Sequence, residues 1–347
     1  MSQPGVSSTH GQEHLSPRTL LEIIAANRIT QAVHVVAELG IADVLKDGPR
    51  SAEEIAKATG AVEDAVYRLL RALASLGLFS TLPGRRFALT PSSQALRADV
   101  PGSLRAWARF NGHEITWRPW GQLLYSVKTG KSAFDHVFGK TVFEYAAGNS
   151  DAAATLNNAM TAFSAIDSEA VAQAYDYSRI GTLVDVGGGH GLLLTTILRA
   201  NSSVRGVLFD LPHVVQGAVD RLQREGMTDR CSVVGGDFFD SIPDGADAYA
   251  MKFIIHDWDD DRAIRVLRNC RRVMRAHARI LVIERVLSAG DEADFGKFSD
   301  LQMLVFSPSG RERTEAEFRA LYNAAGLRLT RVVPTTSPLS IIEGVPN

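Results

Sequence analysis

Leu183-Val-Asp-Val-Gly-Gly-Gly-His-Gly191 reads as an apolar strand running into a glycine loop, and Leu192-Leu-Leu through Leu198 continues it as a helix. Strand, glycine turn and helix in that order bring backbone amides and a helix amino terminus to a ligand's polar end, the opening unit of a doubly wound α/β domain. The spacing narrows the ligand. A dinucleotide loop G-x-G-x-x-G counted from Gly187 needs glycine at 192, where Leu192 stands; the text is instead D-x-G-x-G-x-G from Asp185. Asp185 ends the first strand and Asp210 the second, where a carboxylate accepts two hydrogen bonds from a ribose diol. Further on, Gly236-Asp237-Phe238-Phe239 offers a carboxylate for an adenine amino group and a ring to stack on the base. The set favours a nucleoside ligand without pyrophosphate. In isolation Asp210 would be a solvated strand end or a helix cap, and Asp237 a turn residue.

Downstream the alternation continues, with strands expected at 183–186, 204–210, 231–234, 247–252, 279–284, 327–333 and 339–343 and helices between most of them. The last two follow one another across a short polar turn, which predicts an antiparallel pair at a sheet edge. Just past the fourth strand comes Lys252-Phe-Ile-Ile-His256-Asp257-Trp258, at the carboxyl end where open α/β sheets place their crevice. A phenol titrates near pH 10, whereas a histidine near 6.5 takes up a proton at neutral pH, so His256 is the candidate base. The acidic run Asp257, Asp259, Asp260, Asp261 reads mainly as a helix start, since acids favour a helix amino end and the pattern Ala263, Ile264, Val266, Leu267, Cys270, Val273, Met274 follows directly.

Upstream, 106–178 is helical text holding Trp107, Phe110, Trp117, Trp120, Phe134, Phe138, Phe143 and Tyr145, mostly core, with some available to wall a pocket for a flat substrate. Ser51-Ala-Glu-Glu54 is a capping box, and Val66, Leu69, Leu70, Leu73 and Leu76 share one helix face before Gly77. A hairpin about Pro83-Gly84 follows, so 17–105 resembles a winged helix. The first hundred residues carry two lysines and eight arginines against ten acids. A groove-reading module needs a basic face, which favours a structural or dimerising role over a transcriptional regulator. The nearly continuous apolar stretch Leu20–Leu45 suits burial on a partner subunit.

The 347 residues, 45% hydrophobic and 22% charged with net charge −2, allow two cored domains and give no global field for nucleic acid or an anionic membrane. Cys231 and Cys270 suit buried free thiols, residues 1–16 a flexible leader, and no stretch reaches membrane-spanning length, which fits a reducing cytoplasm.

From Leu20 on, the chain resembles the caffeic-acid type of metal-independent O-methyltransferases, including bacterial enzymes that methylate aromatic natural products. The resemblance rests on the glycine loop, Phe209-Asp-Leu-Pro-His-Val214, Gly236-Asp-Phe-Phe239, His256-Asp-Trp258, Ile283-Glu284 and Gly310-Arg-Glu-Arg-Thr314, in that order. It implies an N-terminal dimerisation domain over 17–105, an obligate homodimer, and a catalytic domain over 179–347. It implies S-adenosylmethionine as cofactor, S-adenosylhomocysteine as product, no metal, and a small aromatic hydroxyl compound as substrate. His256 is implied as general base with Glu284 and Glu312 beside the imidazole; Ser164, Gly187, Asp210, Leu211, Asp237, Phe238 and Lys252 as cofactor residues; and Met160, Phe163, Asp257, Trp258 and Met303 as substrate-pocket residues. Ser309-Gly310 stands where many relatives have two glycines, and Phe163 where plant relatives often carry a polar residue. Some relatives on aromatic polyketide pathways hydroxylate or decarboxylate instead, an alternative that retention of all three catalytic residues disfavours.

Overall fold

The structure, a computed structural model, describes residues 16–307 and 309–347, without the Phe163 side chain. Of the segment read as a leader, 1–16, all but Ser16 lies outside the described residues. The chain divides into two compact units, one ending at Gly112 and one spanning His113–Asn347.

In the first unit the Ser51 hydroxyl accepts from the Glu54 N–H (3.1 Å) and the Glu54 carboxylate from the Ser51 N–H (2.7 Å), the anticipated capping box that opens the helix Ala52–Thr59. The helix Glu63–Ala74 buries Val66, Leu70 and Leu73. It unwinds before Gly77, whose φ of +77° suits a residue without a side chain, so the expected face stops short and Leu76 is left 54% exposed. The strands Phe79–Leu82 and Arg86–Leu89 then pair antiparallel. By contrast the helix Pro17–Ile24 buries none of its residues, and Leu20, Leu21, Ile23 and Ile24 are all more than half exposed. Among the described residues no single helix is long and apolar enough to cross a membrane; Pro17–Ile24 and Asn27–Glu38 reach that length only together, bent by 43°.

The second unit carries a seven-stranded sheet: β1 (Thr182–Val186), β2 (Arg205–Asp210), β3 (Cys231–Gly235), β4 (Ala248–Lys252), β5 (Arg279–Glu284), β6 (Leu327–Pro334) and β7 (Ser340–Pro346), in the order β6-β7-β5-β4-β1-β2-β3. The pairs from β5 to β3 are parallel, and β7 runs antiparallel to both β5 and β6. The anticipated antiparallel pair is therefore present, with β6 at the edge. Helices α1 (Ser150–Ala174), α2 (Leu192–Ala200), α3 (Asp260–Val273), α4 (Gly296–Phe306) and α5 (Glu315–Ala324) belong to this unit.

Period-two alternation splits the strand residues between two cores. Val184, Val186, Tyr249, Met251, Ile280 and Val282 pack with Val266, Leu267, Phe318 and Leu321, whereas Leu183, Leu208, Ala250, Leu281 and Ile283 pack with Leu194, Ile197 and Leu198. Cys270 and Cys231 are buried free thiols in these cores. β1 lies between β2 and β4, where the strand order reverses, so its carboxyl end opens the crevice such sheets use for ligands.

Candidate functional site

The glycine loop leaves β1 with Gly187 at φ +69°, and a side chain there would lie 2.4 Å from Ile254 Cδ1. The N–H groups of Gly187 and Gly188 donate to the Phe209 carbonyl at 2.8 and 3.2 Å, which ties the loop to the end of β2. One residue on, Asp210 accepts from the Gly189 N–H at Oδ2 (2.8 Å) and from the Leu211 N–H at Oδ1 (2.6 Å). Each oxygen keeps a lone pair for a diol. Phe238 stands 3.6 Å from the position a Gly187 side chain would take, so the Gly236–Phe239 turn meets the same loop. Asp237 Oδ1 holds that turn by accepting from the Phe239 N–H at 2.8 Å.

Beneath the loop, Asp185 is buried and its Oδ2 has no hydrogen-bond partner among the described residues; a side chain on Gly188 would come within 2.6 Å of it. Burial pushes its carboxyl up to about 7, against the pull of Lys252. Lys252, at the end of β4, donates to the Ser164 hydroxyl and to the Ser168 hydroxyl at 3.1 Å, and burial lowers its pKa. Met160, Ser164 and Ser168 recur every four residues on α1 and so share one face. An orphaned buried carboxylate under a loop with no room for a side chain at Gly187 or Gly188, beside a partly free Asp210, fits a nucleoside with a polar tail.

The chain leaves β4 sharply. Phe253 sits at φ +56°, a left-handed conformation that costs a non-glycine residue about 1 kcal/mol or more, and its ring stacks on His256 at 5.2 Å. The short turn Ile255–Asp257 carries the histidine. Its Nδ1 lies 3.5 Å from Glu312 Oε1 and its Nε2 3.6 Å from Asp257 Oδ1. Glu284, the last residue of β5, accepts from the His256 backbone N–H at 3.0 Å, so it holds the main chain of the turn while its charge acts on the ring. Both glutamates are nearly fully buried, and the Oε2 of each lacks a partner among the described residues. Burial alone would lower the histidine pKa, but the Glu312 contact and the charges of Glu284 and Asp257 outweigh it and raise it to about 9. Burial also pushes Glu284 up to about 7, with His256 pulling the other way.

Asp257 therefore stands beside the imidazole, and the helix start belongs to Asp259, which accepts from the Arg262 N–H at 2.9 Å to cap α3. The Trp258 ring meets Phe239 edge-on at 4.8 Å. The methyl of Met303 on α4 lies 2.7 Å from where a Gly310 side chain would start, with the His256 carbonyl 3.0 Å from the same point. Two aromatic residues support α4: Trp120 donates to Gln302, and Phe134 packs on Phe306 at 5.4 Å. Of the aromatic run, Trp107 and Phe110 stack together in the first unit, and Phe143 is largely exposed. The Phe163 position falls on a side chain outside the described residues. No group of three or more His, Cys, Asp or Glu among the described residues is arranged to hold a metal ion.

Residues the sequence reading missed are Phe253, Asp300 and Arg313. Asp300 accepts from the Glu312 N–H at 2.8 Å, and Arg313 is 1% exposed with its guanidinium against the His256 turn. Arg313 lies within the Gly310–Thr314 motif, which is the one local sign of it.

Residues 120–328 match the family model of the O-methyltransferase domain, and residues 21–99 that of the O-methyltransferase dimerisation domain. The chain is 44% identical over 327 residues to a phenazine O-methyltransferase of Lysobacter antibioticus, covering 94% of this chain and 95% of that one. It is 38% identical over 342 residues to a mitomycin biosynthesis 6-O-methyltransferase of Streptomyces lavendulae, covering 98% and 96%. Its fold is similar, at TM-score 0.88 and 38% identity over 97% of this chain and 100% of the other, to the S-adenosylhomocysteine-bound form of CalO1, a methyltransferase in calicheamicin biosynthesis. A glycine crevice fitted to a nucleoside, a histidine set among carboxylates and these matches across nearly the whole length make the chain a member of the O-methyltransferase family that uses S-adenosylmethionine as methyl donor.

Proposed function

We propose that this enzyme methylates a hydroxyl group of a small aromatic natural product, with His256 as the general base. The observation that carries the reading is the imidazole at the carboxyl end of β4, with Glu312 at Nδ1 and Asp257 near Nε2. When bound, S-adenosylmethionine supplies a methyl group on a cationic sulfonium, which is already a good leaving group. Gly187 and Leu211 flank its nucleoside, Asp210 accepts from the ribose diol, Asp237 from the adenine amino group, and Phe238 stacks on the base. Ser164 and Lys252 face its polar tail. Glu312 keeps the Nδ1 proton in place, so Nε2 presents its lone pair to the acceptor hydroxyl, and the carboxylates stabilise the imidazolium that forms. Met160, Trp258 and Met303 offer apolar contacts to a flat ring, with Asp257 at its polar edge, and Phe163 is assigned to the same pocket from its place in the sequence.

The relatives' own names support the substrate class: one acts on a phenazine and another works in mitomycin biosynthesis. The dimerisation-domain match and the exposed apolar helix Pro17–Ile24 support a homodimer formed through the first unit.

The test uses methyl-labelled S-adenosylmethionine with a panel of phenolic and quinonoid compounds, read by mass spectrometry. Label is expected in the product of the native enzyme. Its loss is expected in His256→Gln, by a factor on the order of 10²–10⁴, with cofactor binding retained. Full activity in that variant contradicts the assignment, and a changed product without label points to hydroxylation or decarboxylation.

A further inference from the structure

The turn Ile255–Trp258 has all four of its backbone carbonyls engaged by one short segment, 309–313. Arg313 Nη1 donates to the Ile255 carbonyl at 3.1 Å and its Nη2 to the Trp258 carbonyl at 2.7 Å. Between them the Arg311 N–H donates to the His256 carbonyl at 2.8 Å, and the Ser309 hydroxyl to that of Asp257 at 3.4 Å. The Arg313 side chain is fully buried, and its remaining bonds go to Asp260 Oδ1 at 3.1 and 2.8 Å, in the first turn of α3. A rigid planar fork spans two carbonyls three residues apart, which a point-like ammonium matches poorly. Glu312, the carboxylate at the imidazole, belongs to the same segment.

We infer that Arg313 is a positioning residue: by bracketing the His256 turn it sets the register between the imidazole and Glu312, and so the aim of Nε2 at the acceptor. The inference rests on His256 being the base. The charged groups that face the ring are Asp257 on its own turn, Glu284 from β5 and Glu312 from the 309–313 segment; Asp300 on α4 stands behind Glu312, and Arg313 adds its charge near Glu284.

Position and charge move the pH profile in opposite directions. Removing a nearby positive charge raises the midpoint of a histidine, whereas losing the alignment with Glu312 lowers it. The experiment measures kcat, KM for S-adenosylmethionine and the pH midpoint of kcat/KM for Arg313→Lys, Arg313→Met and Asp260→Asn, beside His256→Gln. Arg313→Lys keeps the charge but not the fork; its kcat is expected to fall about 10-fold, with a midpoint about one unit lower and KM within about twofold. Arg313→Met should lose about 100-fold with the same direction of shift. Asp260→Asn, at a half-exposed site, should move the same way by less.

A native kcat and midpoint in Arg313→Lys, or an upward midpoint in either arginine variant, overturns the inference. Loss of cofactor binding in step with loss of activity does so too, since that marks a purely structural role. If Arg313→Met does not fold, Arg313→Lys and Asp260→Asn decide by the same criteria, and native behaviour in both is contrary. An inactive His256→Gln beside a native-like Arg313→Lys removes this inference alone, while an active His256→Gln removes the reading beneath it.

Discussion

The two units place their unusual residues in opposite ways. The first keeps an ordinary apolar core and leaves its anomaly outside, in a helix whose Leu20, Leu21, Ile23 and Ile24 all face away from that core. The second hides its anomalies, with Asp185, Glu284, Glu312 and Arg313 nearly or fully buried. Exposed apolar surface is relieved by association, whereas a buried charge persists only where neighbours compensate it or chemistry uses it. The contrast fits the proposed division between a surface for assembly and a site for reaction.

The largest effect that sharpens this contrast is expected from Leu21→Glu with Ile24→Glu, which should weaken self-association by about 10³-fold, at about 2 kcal/mol or more for each buried anchor. Sedimentation at graded concentrations reads it, and an unchanged dimer breaks the comparison. Next, Asp210→Ala should weaken S-adenosylmethionine binding by about 100-fold, because two hydrogen bonds to a charged acceptor are lost together. Calorimetry checks it, and affinity within about twofold of native removes Asp210 from the site. The smallest is Ser51→Ala, which breaks the capping box. It should cost about 1 kcal/mol in denaturant unfolding of the first unit and leave cofactor affinity unchanged.

Much of this was legible from local text. The strand segments, the glycine loop and Asp210 at the end of β2 follow from spacing along contiguous segments. The capping box and the cap of α3 needed only three or four residues each. What escaped depends on chain-distant register. Lys252 pairs with Ile283 across β4 and β5, and that brings Glu284 beside the His256 main chain, 28 residues away in sequence. Periodicity cannot see this, and the bond from the Glu284 carboxylate to the main chain of the turn was not anticipated. Likewise an aromatic residue gives no hint of the left-handed backbone at Phe253, and Arg313 in a string of charges looks solvated until the His256 turn and the start of α3 close over it. Leu76 was misjudged for a local reason, since Gly77 ended the helix before the apolar spacing did.

The central claim is that His256 accepts the acceptor's proton while held among carboxylates. A base must be neutral to act, and with its pKa raised to about 9 it is mostly protonated at neutral pH. The most direct test is the pH dependence of kcat/KM for the native enzyme and Glu312→Gln. In the native enzyme it should rise about tenfold between pH 7 and 8, reach half of its plateau near 9 and level off above about 10. Without the Glu312 carboxylate the rise should move toward more acid pH, to a lower plateau. A native profile that is flat from pH 7 to 9, or a midpoint that stays in place in Glu312→Gln, would contradict the account.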